Sequence, residues 1–136
     1  MSKRLLITDD AVIMRTIIAD AAREAGWDVV GEAKNGAEAI EHYMWLRPDV
    51  VTLDLVMPEF DGMYALRGIL EFDPDAIVLV VSALDQKSVL QNAFRHGATD
   101  FLVKPFDKPQ LISALETHWN AKHAAVNPES ICSHLP

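Results

Sequence analysis

The sequence predicts an α/β domain whose parallel sheet is covered by helices on both faces. Three observations predict it. Five short apolar runs alternate along the chain with longer segments of helical period. Each apolar run is followed by one such helical segment, the pattern that makes a parallel sheet. Gly, Pro, Asn and Asp punctuate the boundaries between them.

The elements follow in order. Residues 5–8 form the first strand. Residues 11–25 carry helical spacing at Ile13, Ile17, Ile18, Ala21 and Ala22, and Gly26 stops that helix. Residues 28–33 form a weaker strand. Asn35 caps a second helix over 36–46, with Ala39, Ile40, Tyr43 and Met44 on one face, and Pro48 ends the segment. Residues 50–53 form the third strand. A loop with Pro58 and Asp61-Gly62 leads to a helix through Tyr64, Ala65, Ile69 and Leu70, which ends before Asp73-Pro74. Residues 77–81 are the most apolar strand, which predicts a central place in the sheet. Asp85 is the expected cap of a helix through Val89, Leu90, Ala93 and Phe94, closed by Gly97. Residues 101–103 form the fifth strand. Asp107 caps a final helix through Leu111, Ile112, Leu115 and Trp119. Residues 1–121 read as one domain. Residues 122–136 read as a flexible C-terminal tail without periodicity. Trp45 and Trp119 are expected to pack at the core or its rim, and Trp27 to shield a helix end.

The chain has 136 residues, half of them hydrophobic, which suffices for one buried core and not for two ordinary domains. Its net charge of −8 argues against nucleic acid and anionic membranes as partners. It suits a protein that holds a cation or meets a basic partner. The longest apolar run, 76–81, is far short of the ~20 residues of a membrane helix. The N-terminus does not read as a signal peptide. The single cysteine, Cys132, has no intrachain partner, so a cytoplasmic location is expected.

Parallel sheets bind ligands beyond the carboxyl ends of their strands, where strand order reverses. At those ends stand Asp9 and Asp10 after the first strand, Asp54 after the third, Ser82 after the fourth and Lys104 after the fifth. Three carboxylates gathered at one edge repel one another unless something offsets their charge. A hard divalent cation with oxygen ligands does so, and Lys104 is a second counter-charge. Mg²⁺ fits better than Zn²⁺, because no thiolate or imidazole lies near these positions. An acidic cluster with a lysine and a hydroxyl suits phosphoryl chemistry, in which a carboxylate attacks phosphorus. Each residue also has a structural reading. Asp9 and Asp10 can cap the first helix, Asp54 can be a loop carboxylate beside Pro58, Ser82 a strand-end hydroxyl and Lys104 a solvated charge. Only their joint placement favours chemistry.

Four segments carry a resemblance: Thr8-Asp9-Asp10; Asp54-Leu55-Val56-Met57-Pro58 with Asp61-Gly62; Val80-Val81-Ser82-Ala83; and Asp100-Phe101-Leu102-Val103-Lys104-Pro105-Phe106. In this order, over residues 3–119, the chain resembles the response-regulator receiver domains of two-component systems, particularly stand-alone, CheY-like ones. The resemblance implies a doubly wound sheet of order 2-1-3-4-5. It implies Asp54 as phosphoacceptor for a histidine kinase. Asp10 and, mainly through water, Asp9 would hold Mg²⁺ with Asp54 and the Val56 backbone carbonyl. Lys104 would pair with the phosphoryl oxygens, and the Lys104-Pro105 bond would be cis. Ser82 and Phe101 would be the switch pair. Their movement would alter a partner face that includes Leu84, Lys87, Leu90, Gln91, Val103 and Lys108.

The chain would act as a monomer, catalysing only its own phosphorylation and slow autodephosphorylation. No output domain follows Trp119, so output through a downstream protein target is expected, as in chemotaxis or, alternatively, in a phosphorelay. Two readings of other classes stay open. An aspartate-nucleophile phosphohydrolase would place a general acid two residues after Asp54, where Val56 stands. A flavodoxin-type module would need a phosphate loop where the two aspartates lie.

Overall fold

The computed structural model describes residues 2–124. Five strands and five helices alternate: β1 (Lys3–Thr8), α1 (Val12–Glu24), β2 (Trp27–Ala33), α2 (Gly36–Leu46), β3 (Val50–Leu53), α3 (Gly62–Phe72), β4 (Val78–Ser82), α4 (Lys87–Arg95), β5 (Asp100–Val103) and α5 (Lys108–Ala124). The strands pair in parallel in the order β2-β1-β3-β4-β5. This is the doubly wound order that the resemblance implied.

The apolar strands explain the layering. Every residue of β3 and β4 is buried, and so are the last four of β1. A strand covered on both faces must be apolar at successive positions rather than at alternate ones. The sheet therefore divides two cores. Leu6, Val51, Leu53, Val78 and Val80 face α2, α3 and α4, where they meet Ala39, Tyr43, Leu66, Ile69 and Ala93. Leu5, Ile7, Val50, Leu79 and Val81 face α1 and α5, where they meet Ile18, Ala22, Leu111 and Leu115.

The chain runs from β1 outward to β2, then returns past β1 to β3. That reversal leaves a crevice at the carboxyl ends of β1 and β3, the place where such sheets bind ligands.

Several local expectations are corrected. The 77–81 run is interior, between β3 and β5, but β3 holds the middle position. Hydropathy cannot rank two strands that are both wholly covered. Asp85 does not cap α4. The cap is Gln86, whose side chain makes no capping bond, and the first turn closes through the Val89 and Leu90 N–H groups on its carbonyl. Trp45 is 82% exposed rather than packed. Trp27 is buried, and its indole N–H donates to Glu116 at 3.2 Å.

Asp107 does cap α5, in a reciprocal box. The Gln110 N–H donates to the Asp107 carboxylate at 2.8 Å, and the Asp107 N–H donates to the Gln110 side chain at 2.9 Å. The α5 helix runs past position 121 to Ala124. There His123 stacks on Trp119, with ring centroids 3.8 Å apart, and its Nδ1 lies 2.8 Å from the Trp119 carbonyl oxygen. The remainder of the expected tail, 125–136, lies outside the described residues.

Candidate functional site

Strand register brings the acidic residues together. Thr8 of β1 pairs with Leu53 of β3, so the next residues, Asp9 and Asp54, emerge side by side. The Asp54 N–H donates to the Thr8 carbonyl at 3.0 Å, which extends the ladder to the crevice floor. Carboxylate oxygens of Asp9, Asp10 and Asp54 all lie within 4.8 Å of one another. Asp9 is 1% exposed and Asp54 6%, while Asp10 opens to solvent.

Asp9 and Asp10 do not cap α1. The cap position is Ala11, without a side-chain bond, and the Asp9 Oδ1 instead accepts the Ala11 N–H at 2.9 Å.

Lys104 reaches this cluster from the end of β5. Its ammonium donates to Asp9 Oδ2 at 2.6 Å and to Asp54 Oδ2 at 3.3 Å. It is no solvated surface charge, since its side chain is 16% exposed. Burial opposes the Lys104 charge. The Asp9 hydrogen bond and the fields of Asp54 and Asp9 outweigh that cost, so its pKa rises. Burial also governs Asp54 and raises its pKa. The Lys104 charge and the Val56 N–H, which donates to Oδ1 at 3.2 Å, pull the other way, and the nearby Asp9 charge adds to the rise. A buried carboxylate is thus held under charge stress, with one ammonium bonded to two of the three clustered acids.

These donors fit a hard cation. All three ligand groups are carboxylate oxygens, and the cluster contains no thiolate or imidazole. Mg²⁺ takes one or two carboxylates and keeps several waters, which suits one exposed and two buried acids. Val56 follows two residues after Asp54, at the rim, with its side chain 56% exposed.

The loop that carries Asp54 and Val56 is pinned from behind. A Cβ on Gly62 would lie 2.2 Å from the Asp54 carbonyl oxygen and 2.5 Å from the Leu55 Cα, so only glycine permits this approach. The Gly62 N–H donates to the Leu55 carbonyl at 3.1 Å. The Asp61 carboxylate caps α3 by accepting the Tyr64 N–H at 2.9 Å. Asp61-Gly62 was legible as a loop motif, but this backbone-to-backbone contact was not.

Ser82 is wholly buried at the end of β4, and its hydroxyl oxygen accepts the Leu84 N–H at 3.3 Å. Phe101 is half-buried and packs on the α2–α4 side of the sheet, the side to which Leu84 also belongs. The Lys104–Pro105 peptide bond is cis.

The expected partner face divides. Lys87 and Gln91 are exposed, whereas Leu84, Leu90 and Val103 are half-buried. Lys108 pairs with Glu24 of α1. Leu84 and Gln91 line a groove of about 740 Å³ with Met57, Met63 and Val89, beside the Asp54 loop.

Sequence reasoning also missed Arg15. Its guanidinium donates to the Asp9 carbonyl at 2.7 Å and to Glu32 at 3.1 Å. One basic residue on an amphipathic helix gives no signal of such a contact.

The wider comparisons agree with this architecture. The sequence model of the response regulator receiver domain matches residues 5–116. The chemotaxis protein CheY of Thermotoga maritima is 46% identical over 115 residues, covering 85% of this chain and 96% of that protein. The chemotaxis protein CheY of Bacillus subtilis is 43% identical over 120 residues, covering 88% of this chain and all of that protein. A chain in the crystal structure of the CheX-CheY-BeF₃-Mg²⁺ complex of Borrelia burgdorferi superposes with a TM-score of 0.81 at 32% identity, over 84% of this chain and 87% of that one. A CheY-like receiver protein of Methanospirillum hungatei superposes at 0.86 with 16% identity, over 92% and 99% of the two chains, a likeness of fold alone. With four sequence segments, one strand order and one acidic crevice in agreement, the chain belongs to the response regulator receiver domain family.

Proposed function

We propose that this receiver takes a phosphoryl group from a phosphohistidine of a histidine kinase onto Asp54, in a Mg²⁺-dependent reaction, and signals by protein contact in a chemotaxis-like pathway. The observation that carries the reading is the buried Asp54 carboxylate, beside Asp9 and Asp10 and bonded to Lys104. An Asp54 oxygen attacks phosphorus. The O–P bond forms, the N–P bond of the donor breaks, and the imidazole keeps the electron pair. Bound Mg²⁺ would neutralise charge on the phosphoryl oxygens, with Asp10, Asp9, Asp54 and the Val56 carbonyl as its protein partners. The Lys104 ammonium stabilises the same oxygens from the β5 side. The Ser82 hydroxyl leaves the Leu84 N–H and donates to one of them. That movement lets Phe101 turn inward and reshapes the surface around Leu84, Lys87, Leu90, Gln91 and Val103.

The chemotaxis assignment draws on the CheY relatives and on the complex in which a CheY with BeF₃ and Mg²⁺ meets CheX. We infer a cytoplasmic signalling protein rather than a turnover enzyme. Among the described residues no helix is long and apolar enough to cross a membrane. A phosphohydrolase would need an acid two residues after its nucleophile, and Val56 offers none. Slow loss of the phosphoryl group would be the only turnover.

Acetyl phosphate with Mg²⁺ tests the chemistry by intact mass. One phosphoryl group is expected on the wild type and none on Asp54→Asn. Equal labelling of both would remove the assignment. A pull-down with beryllofluoride and Mg²⁺ tests the output. The expected result is a partner retained by the activated wild type and lost with Asp54→Asn.

A further inference from the structure

Asp9 is held at each of its polar atoms. Its N–H donates to the Ala33 carbonyl at 3.0 Å. Its Oδ1 accepts the Ala11 N–H at 2.9 Å, and its Oδ2 accepts the Lys104 ammonium at 2.6 Å. Its carbonyl oxygen accepts Arg15 Nη1 at 2.7 Å. The same guanidinium donates through Nε to Glu32 at the end of β2, at 3.1 Å, and the Arg15 side chain is only 14% exposed. Two bonds from one rigid planar fork fix the plane of that fork.

The Asp9 carbonyl belongs to the peptide unit that joins Asp9 to Asp10. That unit is planar, so holding its oxygen sets the tilt of the Asp10 N–H and Cα. Asp10 is the exposed member of the acidic cluster, and its aim depends on its backbone.

We propose that Arg15 is a positioning residue for the cation. Anchored by Glu32, it orients the Asp9–Asp10 peptide and so aims the Asp10 carboxylate into the site. The inference rests on the Mg²⁺ reading above. Coulomb's law alone gives the opposite sign: Arg15 is a nearby positive charge, and its removal would tighten cation binding. Positioning makes its removal weaken binding. Outer residues that orient metal ligands typically change affinity about 10- to 100-fold when lost.

Mn²⁺ titration of the full chain, read by the electron paramagnetic resonance of free Mn²⁺, separates the two. Arg15→Met is expected to weaken Mn²⁺ binding about tenfold or more. Arg15→Lys should weaken it too, because a single ammonium cannot reproduce the fork. Labelling by acetyl phosphate should need more Mg²⁺ for half-saturation in Arg15→Met, yet reach the wild-type rate at saturation. Equal or tighter Mn²⁺ binding in Arg15→Met overturns the proposal, and so does a labelling rate that stays low at saturating Mg²⁺. If Arg15→Met fails to fold in chelator, as read by circular dichroism, Arg15→Lys carries the test with the same expected sign. A wild type that binds no Mn²⁺ would sink the cation reading itself. Hydrogen exchange at the Ala11 amide in the metal-free protein then tests the clamp separately. Lost protection in Arg15→Met supports it, and unchanged protection overturns it.

Discussion

Asp54 concentrates the conflict between stability and chemistry in one side chain. Burial raises its pKa, so ionising it costs more in the folded state than in the unfolded chain. Below the ordinary value of 3.8, folded and unfolded forms are both protonated and no penalty arises. As pH climbs through the raised folded value, ionisation costs the folded state stability. Asp54→Asn cannot ionise. In chelator at pH 7 it should therefore unfold at higher denaturant than the wild type, and the difference should shrink as pH falls toward 3.8. Urea titrations at the two pH values measure it, and a wild type at least as stable as the variant at pH 7 would contradict the burial argument. Val56 poses a different question at the same rim. Its exposed side chain offers no polar group to orient an attacking water. Val56→Asn should change the autodephosphorylation rate, and equal phosphoryl half-lives in the two proteins would remove that expectation.

At the scale of elements, the β3–α3 loop matters most. It carries Asp54 and Val56, and α3 presses Gly62 directly on the Asp54 backbone. An added methyl has backbone on its far side, which cannot swing away as a side chain can. Gly62→Ala should cost about 1–3 kcal/mol of stability, the usual range for overpacking, and slow labelling of Asp54 by displacing its carbonyl. Denaturant midpoints and phosphorylation rates check both effects. A variant of wild-type stability and rate would show that the loop yields freely. The β1–α1 turn is held as firmly, by the Ala11 N–H, Lys104 and Arg15 around Asp9. Helix α4 starts at Gln86, which gives no side-chain cap, so its first turn rests on backbone bonds to the Gln86 carbonyl.

For the whole molecule, the sheet places unlike-charged groups from the ends of three strands at one edge. The repulsion of Asp54 by Asp9 and Asp10 is a debt of the folded state, because the unfolded chain separates Asp54 from that pair. A cation that binds only the folded state stabilises it by mass action, by about 2.7 kcal/mol at 100 times its dissociation constant. Thermal unfolding should therefore shift upward with added Mg²⁺. The shift should be smaller in Asp54→Asn, which presents one carboxylate fewer. Equal melting temperatures in Mg²⁺ and in chelator would argue that Lys104 alone balances the cluster.

The sequence by itself determined the alternation of elements, the placement of Asp9, Asp10, Asp54, Ser82 and Lys104 at strand ends, and the Asp107 cap. These depend on hydrophobic period and on local hydrogen bonding, which are properties of neighbouring residues. Strand order could be read only through resemblance, because period says nothing of which strands pair. Only the tertiary structure decided the rest. The middle place of β3 and the turning of Lys108 toward Glu24 join residues distant in the chain. The grip of Arg15 on the Asp9 carbonyl and the approach of Gly62 to Asp54 span one turn or loop each, but they depend on how a helix seats against a strand end. Such contacts are fixed by how layers pack, and no local pattern encodes that.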